Sequence, residues 1–503
     1  MNFAQKYWTR VFSIIFVIIS ATAIAEVARA DIEWHGMYRI EGYSINDPEL
    51  DTAVAKNKDY GVQTLILRPE FVAADGFYIF SQFNIMNSDS GGNNLGAIFG
   101  DGVGSNNGQP GTGTSNSSAI STYEKSEEFV VTEFYLEMKQ AFGELFAGRM
   151  PINFGLGMSY SDGDGLFDHY IDTRDMVAYK VHVGNIYVMP MFGKVAQGGY
   201  LASSAEIEEW DLEAQYNNPD SNSKIGIFYQ NRTGSPAGVD TPQYAVSTTA
   251  QPATVQPDRM NIKNISVYFK KTEKNYNVGF EACQQSGNFG VDNSAGTNVK
   301  LGGFGAVVQY NYEPTATPWG FGLKSGYATG NDPKTDSEYD GFFFNRNYHV
   351  AMLLFNQPLG QADILHTALY GRQDVLGNQG SGPSSTPSTA YDADTEALSN
   401  VYFLSPSVSR RFGERWRGIA TLTGAWLNNT TVVLGNPATS LNYYNVKSDL
   451  GYELDLTADY KISKNIMWQN ELGVMLPGQA WTVGGQFKAD MAYGLLSRAA
   501  VSF

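Results

Sequence analysis

Residues 450–461 set Tyr452, Leu454, Leu456, Ala458 and Tyr460 at alternate positions, with Glu453, Asp455, Thr457, Asp459 and Lys461 between them. Side chains of a β-strand point to opposite faces with period two, so an extended chain here is apolar on one side and charged on the other. The pattern recurs along the chain. Ile32, Trp34, Tyr38 and Ile40 oppose Glu33, His35 and Arg39; Val130, Phe134, Leu136 and Met138 oppose Glu133, Tyr135, Glu137 and Lys139; Trp210, Leu212, Ala214 and Tyr216 oppose Glu209, Asp211, Glu213 and Gln215. A β-sandwich alternates too, but its strands average about five or six residues, and the stretches here are about twice as long. Aromatic residues close the apolar faces at both ends, as Trp416 and Trp426 or Tyr452 and Tyr460 do. That placement fits girdles at two membrane interfaces.

The start of the chain supports a membrane destination. Lys6 and Arg10 precede an apolar run from Val11 to Ala25, followed by Ala28-Arg29-Ala30. This is the charged, apolar, small-x-small order of a cleaved secretory signal over residues 1–30. The run is shorter than the ~20 apolar residues of a spanning helix, and no cysteine lies near the cleavage point to suggest lipoprotein processing. Beyond it no apolar run approaches spanning length. Lipid offers backbone groups no hydrogen-bond partners, so a membrane protein without spanning helices must be a closed barrel. The net charge of −17 becomes −19 when residues 1–30, with Lys6, Arg10, Arg29 and Glu26, are removed. Such acidity argues against nucleic acid as a partner. Cys283 is the only cysteine, which excludes an intrachain disulfide and reads as an unreactive wall- or pore-facing thiol.

The connections alternate as well. Tight turns fall at 74–76, 142–144, 184–185, 272–275, 412–414 and 463–465, in residues that tolerate turn geometry. Longer polar stretches occupy 89–128, 153–173, 234–257, 330–347, 373–395 and 429–446. Strand starts near 32, 60, 77, 129, 144, 174, 186, 207, 224, 258, 275, 300, 318, 348, 361, 396, 415, 448, 466 and 488 give about 20 strands, or 18 if one weak pair is not real. The expectation is a single all-β domain over 31–503, a transmembrane antiparallel up-and-down β-barrel with short periplasmic turns and long extracellular loops.

The chain ends with Tyr493, Leu495, Ala499, Val501 and Phe503 on one face of a strand. This aromatic ending resembles the terminal strand of bacterial outer-membrane β-barrels, where that residue type serves as the mark for assembly. A second likeness lies in Ala147-Gly-Arg-Met-Pro-Ile-Asn-Phe-Gly-Leu-Gly-Met158, followed by Asp164-Gly-Leu-Phe-Asp168 and Asp172-Thr-Arg-Asp175. It resembles the Gly-Arg…Trp-Gly…Asp-Arg pattern of the alginate-export and related porin-like barrels, with Phe154 where the family often has Trp. Residues 328–335 with 338–344, 451–456 and 476–481 are similar to later parts of that group. The resemblance implies an integral protein of the Gram-negative outer membrane, placed by the barrel-assembly machinery and surrounded by lipid and lipopolysaccharide. It further implies passage of small hydrophilic solutes or export of a carbohydrate polymer. An alginate conduit would be expected to line its pore with arginines, whereas the inward positions here mix acids and bases. That favours a less selective aqueous pore, with the polymer exporter as the alternative.

A barrel of this size is too wide for its side chains to fill, so it holds water or inserted loops. Residues 89–128, rich in Gly, Ser and Asn around the apolar island 95–99, are the best candidate for an inserted loop, with a mobile external loop as the alternative. Opposed charge rows inside a pore order water and select solutes. The candidates are Arg39, Arg68, Glu133, Glu137 and Arg149, with Arg417, Glu453 and Asp455 further along; the alternative role for such rows is to fix strand register. Asp162, Asp164 and Asp168 collect carboxylates in a Gly-rich turn, as calcium sites in extracellular loops do, although the Glu that ends an EF-hand loop is missing. A solvated acidic loop is the competing account. An enzyme is not expected, because none of the five histidines adjoins a nucleophile motif. A surface adhesin or receptor working through loops 89–128, 234–257 and 373–395 is a third possibility.

Overall fold

The computed structural model describes residues 31–53, 57–87, 97–98, 128–197, 206–234, 254–292, 298–335, 337–362, 364–365, 397–436 and 440–503. The expected signal segment 1–30 and residues 235–253 and 366–396 lie outside the described residues, as does the expected inserted loop 89–128 apart from 97–98 and Glu128.

Long alternating segments pair edge to edge. The first six are β1 (Asp31–Asn46), β2 (Lys58–Ala74), β3 (Phe77–Asn87), β4 (Glu128–Gln140), β5 (Gly143–Pro151) and β6 (Thr173–Val183). Next come β7 (Ile186–Gln197), β8 (Glu206–Asn218), β9 (Ser223–Gly234), β10 (Thr254–Thr272), β11 (Tyr276–Asp292) and β12 (Asn298–Tyr312). The last are β13 (Trp319–Ala328), β14 (Val401–Phe412), β15 (Trp416–Leu427), β16 (Asp449–Ser463), β17 (Ile466–Pro477) and β18 (Ala492–Ser502). Each pairs antiparallel with its sequence neighbour, and β18 pairs with β1 from Met37↔Ser502 to Asn46↔Tyr493. The result is a closed antiparallel barrel of 18 strands. Two-residue bridges at Ala97–Ile98 and Glu338–Tyr339 add to its sheet, and a separate pair joins Thr431–Asn436 to Ser440–Asn445.

Closure depends on the end of the chain. Phe503 N–H donates to Gly36 O at 3.0 Å and accepts at its own carbonyl from Gly36 N–H at 2.9 Å. A Cβ on Gly36 would lie 2.6 Å from both Ile66 O and the Phe503 ring, so the aromatic ring covers the strand where a side chain is missing, a device that pins edge glycines in sheets. Gly36→Val is expected to displace that ring and lower the yield of heat-resistant folded barrel, whereas Gly413→Ala, strained only locally by its φ of +74° and with nothing within 4 Å of its Cβ, leaves closure intact.

The outward face is an apolar belt that includes Ile225, Ile227, Phe321, Leu323, Leu404, Leu454, Leu456 and Leu495, all exposed. Trp416 stacks on Tyr460 at 4.4 Å at the short-turn end, and Trp426 stacks on Tyr402 at 5.5 Å at the long-loop end. From Trp416 to Trp426, ~3.3 Å per residue at a tilt of ~40° gives a band of roughly 25 Å, the apolar height of a membrane barrel. No described helix is long and apolar enough to cross a membrane.

The two starts placed near 348 and 361 are not wall strands. Val350-Ala-Met-Leu-Leu-Phe355 is apolar at every position and buried throughout, so it lacks the charged face that a wall strand would turn to the lumen. It belongs to the connection between β13 and β14 and folds into the barrel. Inside, it packs with Ile45, Val307, Val401, Phe403, Ala425, Leu450, Met475 and Leu496 of the wall.

Candidate functional site: the occupied lumen

Two connections enter the lumen, residues 152–172 between β5 and β6 and residues 342–365 between β13 and β14. A loop placed there must find partners for its backbone N–H groups, since an unsatisfied buried donor costs about 1–3 kcal/mol. Acids on the barrel wall supply them. The fully buried Glu281 of β11 accepts from the N–H groups of Leu156 (2.6 Å), Met158 (3.2 Å) and Ser159 (3.0 Å). Gly155 makes this approach possible: its φ is +67°, and a Cβ there would lie 2.6 Å from Glu281 Oε2. Phe154 then packs on Phe228 and edge-on against Tyr268. The second loop has the same clamp, because the fully buried Glu453 of β16 accepts from Leu353 N–H (2.6 Å) and Leu354 N–H (2.7 Å). Lys324 Nζ donates to His349 O at 2.9 Å, and Gln309 Nε2 donates to the Tyr348 hydroxyl at 2.7 Å.

A third acid joins wall to loop near the barrel seam. Glu41 of β1 lies 2.7 Å from Arg39 Nε and 2.7 Å from His169 Nε2, accepts from the Tyr43 hydroxyl at 2.9 Å and lies 4.0 Å from Arg498 Nη1. Arg39 Nη1 in turn donates to the carbonyls of Asp168 (2.6 Å) and Leu166 (3.3 Å), and the Arg498 guanidinium sits 4.2 Å from the centre of the Phe167 ring. Burial, followed by the pull of Glu41 in the opposite sense, leaves the His169 imidazole below its ordinary pKa. It is therefore neutral at pH 7 and donates from Nε2–H. The two loops also hold each other: Asn347 Oδ1 accepts from His169 and Tyr170 N–H at 3.0 Å each, and Asn345 Nδ2 donates to Asp172 at 2.7 Å.

The expected pore residues have different fates. Glu133 and Glu137 lie on the inward face of β4 and are only half-buried; Lys139 Nζ is 3.6 Å from Glu137. Arg68 faces inward and lies 2.8 Å from Asp164 of the first loop. Arg39 and Glu453 face inward but serve as loop anchors. Asp455 is buried beside Glu453, and Arg417 faces inward at the short-turn end, where it pairs with Glu313. Arg149 is a correction. It stands opposite the exposed Phe134 and opposite Asp175 in register, so it lies on the outward face. There it makes a two-point contact with Asp175 at 2.7 and 3.0 Å.

The calcium expectation also changes, because its loop is inside the barrel and not at the outer surface. Its three carboxylates are separately engaged: Asp162 by Asn153, Asp164 by Arg68 and Asp168 by Gly165 N–H. They do not form a convergent ligand group among the described residues. Sequence reasoning missed Glu41, Glu281, Lys324, His349 and the two asparagines. Cys283 is free and buried on the inward face.

Among solved structures, the chain is similar to outer membrane protein OpdK from Pseudomonas aeruginosa, with 10% identity and a TM-score of 0.47 over 94% of this chain and 99% of that one. It is likewise similar to OprD from Pseudomonas aeruginosa (10% identity, TM-score 0.46, 95% and 96% coverage) and to OccAB3 from Acinetobacter baumannii (9%, 0.45, 94% and 100%). No family model matches the chain, and no curated protein does.

Proposed function

We propose that this barrel is a porin-like channel of the Gram-negative outer membrane, carrying small hydrophilic solutes by diffusion past two fixed internal loops. On this reading the short turns face the periplasm and the long loops face outward. Lipid and lipopolysaccharide cover the apolar belt, and Phe503 is the residue read by the assembly machinery. One observation carries the proposal. The inserted loops pack tightly against β9–β18 and β1 and against Met150, Met176 and Ala178 of β5 and β6, whereas the inward polar residues Tyr78, Glu133, Glu137, Glu144 and Lys180 of β3–β6 keep part of their surface open. Charged groups left half-hydrated beside a packed plug favour an off-centre aqueous path.

Swelling of liposomes containing the barrel in neutral sugars of increasing size tests for such a path: small sugars are expected to enter and large ones to be excluded, and no swelling in any of them contradicts it. Glu133→Arg is expected to shift the reversal potential in a salt gradient toward anions. Arg149→Glu, on the outward face, is expected to leave it unchanged and to weaken the barrel through repulsion from Asp175. A carbohydrate-polymer exporter, the alternative raised by the sequence resemblance, would require both loops to leave the lumen together.

A further inference from the structure

We propose that Glu33, His35 and Glu70 form a binding site for one divalent transition-metal cation, of the Zn2+ class, on the short-turn rim of the barrel. All three sit on the inward face of the β1–β2 pair. Strand register places Glu33 directly opposite Glu70, and His35 directly opposite Arg68. One ligand atom from each of the three lies within 4.8 Å of the others, and His35 Nε2 is 3.8 Å from Glu33 Oε2.

The arrangement is not explained by pairing within the chain. Like charges directly opposite on neighbouring strands are destabilising, yet no lysine or arginine makes an ion pair with Glu33 or Glu70 among the described residues. Arg68, opposite His35 in strand register, is turned to Asp164 and to Gln82 Oε1. Pairing with β18 begins only at Met37, beyond the Gly36–Phe503 contact, so residues 31–35 project past the closing strand with their side chains open to water. A cation shared by the three groups would remove the repulsion.

The donor set suits a borderline metal. An imidazole with two carboxylates matches Zn2+ and its neighbours, which take such ligands at about 2.0–2.2 Å. Hard cations prefer six or more oxygens and have less use for the histidine. A shared metal needs donor atoms ~3–4 Å apart, which small rotations of these exposed side chains provide. Three protein ligands leave at least one coordination position for water or an exogenous group.

Titration of the detergent-solubilised barrel with Zn2+, followed by calorimetry, tests the site. One saturable Zn2+ per chain is expected. His35→Ala, Glu70→Gln and Glu33→Gln should each weaken binding by more than the roughly 10- to 100-fold typical for loss of a supporting residue. Glu414→Gln, in the short turn between β14 and β15, should bind as the parent does. Absence of saturable binding overturns the proposal, as does binding that survives all three substitutions or that Glu414→Gln weakens equally. Glu33 and His35 are exposed and Glu70 is half-buried, so retention of heat-resistant barrel in each variant separates loss of ligand from loss of fold.

Discussion

Glu453→Ala is expected to raise single-channel conductance several-fold while leaving the barrel closed. The carboxylate is the acceptor for two consecutive backbone donors, Leu353 and Leu354, in a segment whose middle, 350–355, otherwise packs on the wall through apolar contacts, while Lys324 and Gln309 tie its start at His349 and Tyr348. Hydrogen bonds to a charged group contribute about 1.5–3 kcal/mol each. Water entering the lumen would recover part of this, so a net loss of about 2–4 kcal/mol is expected. That weakens docking of 342–365 far more than it weakens the strands, whose ladder bonds are untouched. Hydrogen exchange should show the Leu353 and Leu354 amides losing protection while Leu454 and Leu456 of β16 keep theirs. Glu453→Gln retains one acceptor and should fall between the two. Unchanged conductance together with unchanged exchange in Glu453→Ala would show that the clamp does not hold the loop.

Glu41→Ala is expected to destabilise the protein more than any other single change considered. Its carboxylate lies against Arg39 and His169 and accepts from Tyr43, and Arg39 is only 1% exposed. Removing one member of a buried ion pair leaves a charge without compensation and costs about 3–5 kcal/mol. Arg39 would keep its bonds to the Leu166 and Asp168 carbonyls but lose its counter-charge, and His169 would lose its acceptor. Residues 152–172 should then loosen at the barrel seam, and the uncovered Arg39 and Arg498 should move selectivity toward anions. Thermal unfolding and reversal potential report these two effects separately. His169→Ala, which removes a neutral partner, should reproduce the loosening without the change in selectivity.

The wall strands could be read from sequence because an apolar outward face and a polar inward face impose a period of two. Where an inserted loop covers the wall, that contrast disappears. Phe146 and Met150 of β5 face inward and pack with the first loop, so both faces of β5 carry apolar residues and the parity that would have placed Arg149 outward is hidden. The same effect makes 350–355 look like a strand: its length and apolar content fit, and only the missing alternation separates a buried insert from a wall segment. Glu281 gives little signal of its own, being a lone acid between Phe280 and Ala282. Its role depends on Gly155 and the N–H groups that follow it, more than a hundred positions away in sequence. The residues that were legible, Glu133 and Glu137, lie on a stretch of wall that the loops cover only in part.

Single-channel recording of the purified barrel in a planar bilayer addresses the central claim most directly. Two clamped loops beside a half-hydrated acidic wall predict stable, narrow openings in the wild type, with a reversal potential on the cation-selective side. Complete silence from a folded, heat-resistant barrel would contradict it, because the inserted loops would then seal the lumen and leave no path along β3–β6.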